Sequence, residues 1–374
     1  MSKMLKRSPH YGQHVAHGAN GFMDFAGWEM PESFSSPEEE ARACREAAVI
    51  FDGHQMGEIH VTGKDAHAAV QKVCSSNIKP IPGRCFYSGV LNEKGGFVDD
   101  LVVLCLEPDH YLLTAAAFNV HKTPGWLRSH VGDMDVEIDD QTAGTTIIEI
   151  QGPKSREILQ SITEADLSNE ALPYFRCVQT KVAGIDCIVA RLGVTGEVGY
   201  EIIYDPGYAW AMYDALVKAG EEHGAVLCGN KIVGIFRLEK VYHIYTREID
   251  EDTNPFEAGL DGPINLDADE FIGRDALLRI QEKGIDRKLI GYEVDSGPVL
   301  ITPGTPIEVM GKEVGQATFG AQSPTLNKVI GLGYVPADLA EVGTELHIVT
   351  DSGKLPAKVV QTPFFDPQGK RIRM

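Results

Sequence analysis

The sequence predicts an α+β protein with a separate small β-barrel or sandwich at its C-terminus. Helix and strand patterns alternate in the part of the chain before Arg287, and one hairpin there has two long apolar strands. From Arg287 onward the pattern changes to short strands separated by closely spaced Gly and Pro turns, which is typical of a compact β domain. The 374 residues are enough for two or three domains with their own cores.

Local signals place the elements before Arg287. Ser36, Pro37 and Glu38 supply a capping residue, a proline for the first helical position and an acid for the first turn, so we expect a helix there that leads into a strand. Further helix and strand patterns occupy residues 65–73 (helix), 121–130 (helix after Pro124), 145–162 (strand, Gly-Pro turn and helix), 187–205 (two strands around a glycine-rich turn) and 208–224 (amphipathic helix).

The hairpin at residues 82–106 has the sequence EKGG at its turn and carries an anomaly on its second strand. Asp99 and Asp100 precede an apolar run that is typical of a strand covered on both faces. Because neighbouring residues of a strand point to opposite faces, at least one of the two carboxylates faces apolar surroundings. An unpaired buried charge is costly, so this residue needs a partner or a function.

Composition excludes several classes of partner. A formal net charge of −20 and a pI of about 5.0 disfavour nucleic acid and anionic membrane surfaces, which both attract positive charge. Seven cysteines without a CxxC pair fit a reducing compartment rather than a disulfide framework or a zinc cluster. The chain has no apolar run of membrane-spanning length and no apolar signal core, so we expect a cytoplasmic protein.

The common metal and phosphate motifs are missing from the sequence. His10, His14 and His17 have helix-face spacing, but the nearby glycines disfavour a helix, and no HExxH or EF-hand pattern occurs. The segment LGVTGEVGYE resembles a glycine loop but lacks the Lys-Ser/Thr pair of a Walker motif, and strands flank it on both sides. We therefore expect no metal site, and a dinucleotide fold is disfavoured.

The remaining candidates are single acids with aromatic neighbours. Asp100 has Tyr87 on the opposite hairpin strand, and Glu197 in the VTGEVGYE turn has Tyr200 nearby. A carboxylate accepts two N–H bonds side by side and aromatic rings stack, so such a set suits a flat, amide-rich heterocycle such as a pterin. Arg237 and Glu239 lie in an apolar context, where an ion pair between them is an alternative, purely structural interpretation.

Eight segments occur in an order that resembles the aminomethyltransferase family, typified by the T-protein of the glycine cleavage system. The resemblance runs from about residue 10 to the C-terminus, so it covers nearly the whole chain. The segments are MDFAGWEMP (23–31), FDGHQMGE (51–58), YSGVLNEKGGFVDDLVV (87–103), IQGPKS (150–155), VTGEVGYE (194–201), FRLEKVYHIYTREIDEDTNPFEAGL (236–260), FIGRDAL (271–277) and SPTLNKVIGLGYV (323–335).

This resemblance implies a three-lobed folate-binding fold around a central channel, with a C-terminal β-barrel, and transfer of a one-carbon unit to tetrahydrofolate. It makes Asp100, the second aspartate of the VDD motif, the catalytic or orienting acid. The other positions that the resemblance assigns to the folate site are Tyr87, Val102, Glu197, Arg237 and Tyr245. It also predicts that residues 254–260 close the site.

The lobes that the resemblance implies divide the chain discontinuously. Residues 1–52 and 145–245 would form the first, folate-binding domain. Residues 53–144 and 246–280 would form the second, and residues 284–374 the barrel.

Several positions depart from the T-protein pattern. The usual DVSHM reads DGHQM at residues 52–56, and the usual GARD reads KIVG at residues 231–234. Ala116 replaces an asparagine, Val194 replaces the tyrosine before TGE, and Leu104 replaces another tyrosine. Because these changes fall on segments expected to face the donor and folate, the donor is expected to differ. The candidate donor-binding residues are His54, Gln55, Ala116 and Tyr200.

Three functions follow from the resemblance. The main hypothesis is a demethylase that moves a methyl group from a small methylated donor to N5 of tetrahydrofolate. The alternative is aminomethyl transfer in glycine cleavage, which requires a lipoyl carrier protein as partner. The third is a non-catalytic folate-binding protein that supports iron–sulfur enzymes, but the lysine–glycine–cysteine motif of that branch is absent from the turn at residues 193–197.

Overall fold

The computed structural model describes residues 4–267 and 270–374. The strands of these residues are β1 Phe22–Phe25, β2 Trp28–Pro31, β3 Val49–Asp52, β4 Gly57–Thr62, β5 Arg84–Leu91, β6 Phe97–Glu107, β7 His110–Ala115, β8 Glu137–Asp140, β9 Thr146–Gln151, β10 Cys177–Val182, β11 Ile185–Ala190, β12 Gly199–Tyr204, β13 Val226–Leu227, β14 Arg287–Val294, β15 Pro306–Val309, β16 Lys312–Ser323, β17 Lys328–Pro336, β18 Glu345–Thr350 and β19 Gly353–Val360. The α-helices are α1 Tyr11–Ala16, α2 Pro37–Glu46, α3 Ala66–Val73, α4 Lys122–His130, α5 Ser155–Gln160, α6 Ala209–Glu221, α7 Asn230–Lys240, α8 Pro255–Ala258 and α9 Arg274–Lys283.

The helix starts follow the sequence signals, with two differences. Helix α2 begins at Pro37, as predicted, and has a capping box in which Ser36 and Glu39 satisfy each other's backbone N–H. Helix α4 begins at Lys122, before Pro124. The N–H groups of the first turn have no acceptor within a helix, so a proline there removes no hydrogen bond. The doubt about a helix at the N-terminus is wrong, since α1 forms there and Gly12 packs closely against Trp210.

A six-stranded sheet in the order β10-β11-β12-β9-β3-β13 forms the first layer. Its strands pair antiparallel except for β13, which lies parallel to β3. Helices α5 and α6 cover one face, and their apolar side chains complete a core with β9, β11 and β12. The six residues of β9 are all buried, as expected of a strand covered on both sides.

A five-stranded sheet in the order β5-β6-β7-β4-β8 forms the second layer. Helices α3 and α4 pack on one face. The opposite face meets the six-stranded sheet, where Leu104 and Leu112 contact a shared core with Ile147 and Ile203. The two sheets therefore pack with one face of each turned toward the other, and the candidate site lies between these faces.

The C-terminal part from Arg287 is a closed barrel with the strand order β14-β17-β16-β15-β18-β19, which confirms the barrel prediction. Helix α7 packs against β16 and β17 and so links the barrel to the first sheet. The division of the chain into the three discontinuous domains given above stays a prediction. No helix within residues 4–267 and 270–374 has the length and apolarity needed to cross a membrane.

Candidate active site

The two consecutive acids of β6 point to opposite faces of the second sheet and have different environments. Asp99 is fully buried under α4 and accepts hydrogen bonds from Asn119 Nδ2 (2.8 Å), Thr123 Oγ1 (2.5 Å) and the Asp100 backbone N–H (2.9 Å). Burial, together with the neighbouring Asp100, raises the pKa of Asp99 to about 7. With three donors and no access to a cavity, Asp99 anchors the start of α4 to the sheet.

Asp100 lies on the face of the sheet that borders a cavity between the two layers. Its Oδ2 accepts a hydrogen bond of 2.9 Å from the hydroxyl of Tyr87, which lies on the paired strand β5. Burial raises the pKa of Asp100 to about 6, although the Tyr87 hydrogen bond opposes this rise. Asp100 is thus an acid that is mostly ionised at neutral pH and lies at the surface of a cavity.

The cavity has a volume of about 240 Å³ and walls from both sheets. The second sheet contributes Tyr87, Asp100, Val102, Thr114 and Ala116. The first sheet and its helix α7 contribute Asp52, Ile147, Glu149, Glu201, Val233 and Arg237. Aromatic side chains form much of the remaining wall, including Phe25, Phe51, Phe118, Tyr242 and Tyr245.

Two hydrogen-bond acceptors without protein partners belong to residues that line this cavity. They are Gln55 Oε1 and Thr114 Oγ1, which are both buried. Glu58, which pairs with Thr114 across β4 and β7, lies outside the cavity lining; it is 1% exposed, and neither of its carboxyl oxygens has a partner. Because buried polar atoms are nearly always satisfied, this arrangement calls for a ligand that supplies several N–H or O–H donors.

Seven of the residues predicted from the sequence lie around this cavity, namely Tyr87, Asp100, Val102, Arg237, Tyr245, Gln55 and Ala116. Arg237 forms a buried ion pair of 2.8 Å with Glu248, and its Nε and Nη2 have no protein partner. The expected pairing of Arg237 with Glu239 is therefore wrong. Glu239 bonds to Arg45 instead, because residues two apart on a helix point in different directions.

The other three predicted residues lie outside the cavity lining. Glu197 is buried between Arg45 (2.9 Å) and Arg371 (2.7 Å). Tyr200 belongs to the core beneath α5, where its hydroxyl accepts a hydrogen bond of 3.1 Å from Arg156. The ring of His54 packs edge-on against Trp28, with centroids 4.6 Å apart.

Sequence reasoning missed Glu149 and Glu201, which both line the cavity. Tyr200 and Ile202 point into the helix-covered core, so the intervening Glu201 points to the other face of β12. Glu149 lies between Ile148 and Ile150 on β9 in the same way. The two-residue alternation of each strand was the signal that could have identified both acids.

A buried hydrogen-bonded cluster around Asp52 connects the N-terminal segment to the cavity. Asp52 accepts hydrogen bonds from Ser8 Oγ (2.5 Å) and the His54 backbone N–H (2.9 Å), and its Oδ1 lies 3.1 Å from His10 Nδ1. Burial alone would raise the pKa of Asp52, but His10, His14 and Ser8 bring it below its ordinary value. This cluster fixes the loop after β3, which carries Gln55.

Half of the ten positions that depart from the T-protein pattern line the cavity, namely Gln55, Ala116, Val194, Val233 and Gly234. Among the other five, Leu104 lies in the core between the sheets, and the ring of His54 packs against Trp28. Within the part of the chain that the structure describes, no group of three or more His, Cys, Asp or Glu side chains is arranged to hold a metal ion.

Comparisons with known proteins agree with this architecture. The family model described as the GCVT N-terminal domain matches residues 10–268, and that of the glycine cleavage T-protein C-terminal barrel domain matches residues 287–366. An aminomethyltransferase of Symbiobacterium thermophilum is 38% identical over 99% of this chain and 100% of its own length. One from Halothermothrix orenii is 35% identical over 96% of this chain and 100% of its own length.

A solved structure extends the similarity to three dimensions. The crystal structure of glycine cleavage system aminomethyltransferase T from Bartonella henselae has a TM-score of 0.88 and 26% sequence identity to this chain. The match covers 97% of this chain and 99% of the other. Sequence, domain order and structure agree over nearly the full length, and the chain therefore belongs to the aminomethyltransferase, or glycine cleavage T-protein, family of enzymes.

Proposed function

We propose that the protein is a tetrahydrofolate-dependent aminomethyltransferase of the glycine cleavage type, which takes its one-carbon unit from an aminomethyl group on a lipoyl carrier protein. The relatives of similar length bear this name, and they favour it over the demethylase hypothesis. The observation that carries the proposal is the cavity between the sheets, which is lined by Asp100 on one sheet, by Glu201 on the other, and by the unpartnered oxygens of Gln55 and Thr114.

The residues of the cavity fit a reduced pterin. Glu201 and the unpartnered oxygens of Gln55 and Thr114 offer acceptors for the amino and ring N–H groups of the heterocycle. Tyr87, Tyr245 and Phe118 offer apolar and aromatic surface for its faces. Tetrahydrofolate would supply the nitrogen nucleophile that receives the carbon, and the protein groups would bind and orient it.

Asp100 is the group best placed to assist the transfer. With a pKa of about 6, it is mostly a carboxylate at pH 7, so it can stabilise positive charge on a nearby nitrogen or accept a proton from it. The hydrogen bond from Tyr87 fixes one of its oxygens and leaves the other for the ligand. The surrounding aromatic walls limit water, which strengthens this electrostatic effect.

Methyl transfer from a small donor is the second candidate function. It is favoured by one specific observation: Ala116, Val194 and Val233 are small or aliphatic residues on the cavity wall, at or within segments that depart from the T-protein pattern. Apolar side chains there favour an apolar methyl-bearing donor over a polar aminomethyl group.

The two candidates differ in donor and product, so one assay separates them. The purified protein is incubated with tetrahydrofolate and either an aminomethyl-loaded lipoyl carrier protein or a panel of methylated amines, ethers and thioethers. The proposal expects ammonia release and 5,10-methylenetetrahydrofolate with the carrier only. Formation of 5-methyltetrahydrofolate from a small donor would establish the second candidate, and absence of both products would contradict each of them. Asp100→Asn serves as the inactive control.

A further inference from the structure

The acids of the first sheet form a cross-strand pair on the cavity wall. Glu149 on β9 and Glu201 on β12 are direct partners in the antiparallel register. Directly opposed residues of such a pair have Cβ atoms about 4.5–5.5 Å apart, so their side chains meet on the same face. Both side chains line the cavity, where two ionised carboxylates this close would repel each other strongly.

Glu149 is held in position through one of its carboxyl oxygens. Its Oε2 accepts a hydrogen bond from Gln151 Nε2. The orientation of the Gln151 amide is fixed in turn, because its Oε1 accepts from Thr195 Oγ1 (2.7 Å) and from the backbone N–H groups of Val194 and Thr195. Oε2 of Glu149 is therefore an acceptor, and any proton on this side chain lies on Oε1.

The loop after β3 makes room for that second oxygen. A Cβ atom on Gly53 would lie 2.9 Å from Glu149 Oε1, closer than real Cβ contacts allow. Gly53 is one of the departures from the family pattern, which has valine there. The glycine at position 53 therefore leaves the space that Glu149 Oε1 occupies.

We propose that Glu149 and Glu201 act as one proton-sharing carboxyl pair, in which Glu149 donates a hydrogen bond and Glu201 accepts, and that this pair reads the amide edge of the pterin. The assignment rests on the proposed folate function and adds Glu149 as a specificity-determining residue. An amide edge presents an N–H beside a C=O, so it is complementary to one acceptor and one donor.

Electrostatics around the pair support this arrangement. Burial raises the pKa of Glu201 to about 7, and burial together with Glu201 raises the pKa of Glu149 well above its ordinary value. Asp52 adds to the rise of the pKa at Glu149, and burial together with Glu201 raises the pKa of Glu58. The titratable or charged groups that interact with the pair or line the same cavity are Asp52, Glu58, Cys85, Tyr87, Asp100, Tyr174, Cys228, Arg237, Tyr242, His243 and Tyr245.

Two substitutions test whether Glu149 contributes to folate binding as a hydrogen-bond donor, as a charged carboxylate or not at all. Binding of 5-formyltetrahydrofolate, a stable reduced folate, is measured by calorimetry at pH 7. Glu149→Gln keeps a donor and should bind within about threefold of the unchanged protein, whereas Glu149→Leu lacks it and should bind roughly tenfold or more weakly. Equal loss in both variants would mean that a charged carboxylate is needed, and no loss in either would mean that Glu149 does not read the ligand; each result overturns the proposal.

A second measurement tests the shared proton without any ligand. Infrared spectra of the ligand-free protein at pH 7 should show a protonated-carboxyl stretch that decreases in Glu149→Gln and is unchanged in the exposed control Glu164→Gln. An unchanged band in Glu149→Gln overturns the proposal even if folate binds. Failure of the unchanged protein to bind any reduced folate would instead contradict the proposed function, so the two failures are distinguishable. If Glu149→Leu does not fold, Gly53→Ala provides the second variant, because its Cβ displaces Oε1 and should weaken binding.

Discussion

The two walls of the cavity each carry a pair of acids, but the pairs are built differently. On β6 of the second sheet, Asp99 and Asp100 are consecutive, so they point to opposite faces and only Asp100 reaches the cavity. On the first sheet, Glu149 and Glu201 are distant in sequence but opposed across strands, so both reach it. Consecutive residues of one strand therefore take separate roles on the two faces of the sheet, whereas residues paired across two strands can act together in one site.

The largest expected effect concerns Glu197, which lies on neither wall of the cavity. Glu197→Ala would leave Arg371 without its carboxylate partner and Arg45 with Glu239 alone, at a cost of about 3–5 kcal/mol in the free energy of unfolding. Chemical denaturation measures this loss. Folate affinity of the folded fraction should change less than threefold, since Glu197 does not line the cavity. A loss of folate affinity without a loss of stability would instead indicate that Glu197 takes part in folate binding.

The next prediction concerns the wall formed by β6. Asp100→Asn removes the carboxylate while keeping its shape, so turnover should fall by roughly 10²–10³-fold while reduced folate still binds. Steady-state kinetics and calorimetry measure the two quantities separately. The matched control is Asp99→Asn, which should lower stability more than turnover because Asp99 accepts its hydrogen bonds from Asn119, Thr123 and the Asp100 backbone rather than facing the cavity. Equal turnover of the two variants would contradict the different roles assigned to Asp99 and Asp100.

The fold could be predicted from sequence further than the site could. Closely spaced turns after Arg287 were sufficient to predict a small β-barrel or sandwich, because such turns are local signals, and the structure has the barrel. Asp100 was also identifiable, because an acid in an apolar strand is anomalous within a single segment. Glu149 and Glu201 required the register of two strands about fifty residues apart, and local patterns do not specify which strands pair.

The same limit explains the misplaced candidates. Glu197 and Tyr200 were chosen because they lie in the conspicuous VTGEVGYE turn, but the direction of each side chain depends on where β12 begins. That strand begins at Gly199, so Tyr200 points into the core and Glu201 toward the cavity. A difference of one residue in a strand reverses which side chain is functional.

The pH dependence of stability should distinguish the buried acids of the two sheets from ordinary surface acids. The pKa values of Asp99 (about 7), Asp100 (about 6) and Glu201 (about 7) lie above those of the unfolded chain, so the native state binds more protons between about pH 4 and pH 7. These groups therefore stabilise the protein fully below pH 4, and that contribution is lost as pH rises toward 7. Chemical denaturation at several pH values should show Glu201→Gln flattening this slope; an unchanged slope would contradict the burial of Glu201.

The smallest expected effect concerns Tyr200. Tyr200→Phe removes only the hydroxyl that accepts from Arg156, which should lower the free energy of unfolding by about 1 kcal/mol and leave the Michaelis constant for folate unchanged. Thermal denaturation and steady-state kinetics check both statements. A rise of that Michaelis constant by more than about threefold would place Tyr200 in the site after all.

We expect the cavity between the two sheets to hold a reduced folate with its pterin between the two acidic walls. A crystal structure of the protein with 5-formyltetrahydrofolate would reveal this binding mode. The amide edge of the pterin should lie within hydrogen-bond distance of Glu201, and the reactive nitrogens should lie on the side of Asp100. A folate bound elsewhere, with both acids facing only solvent or protein, would rule this binding mode out.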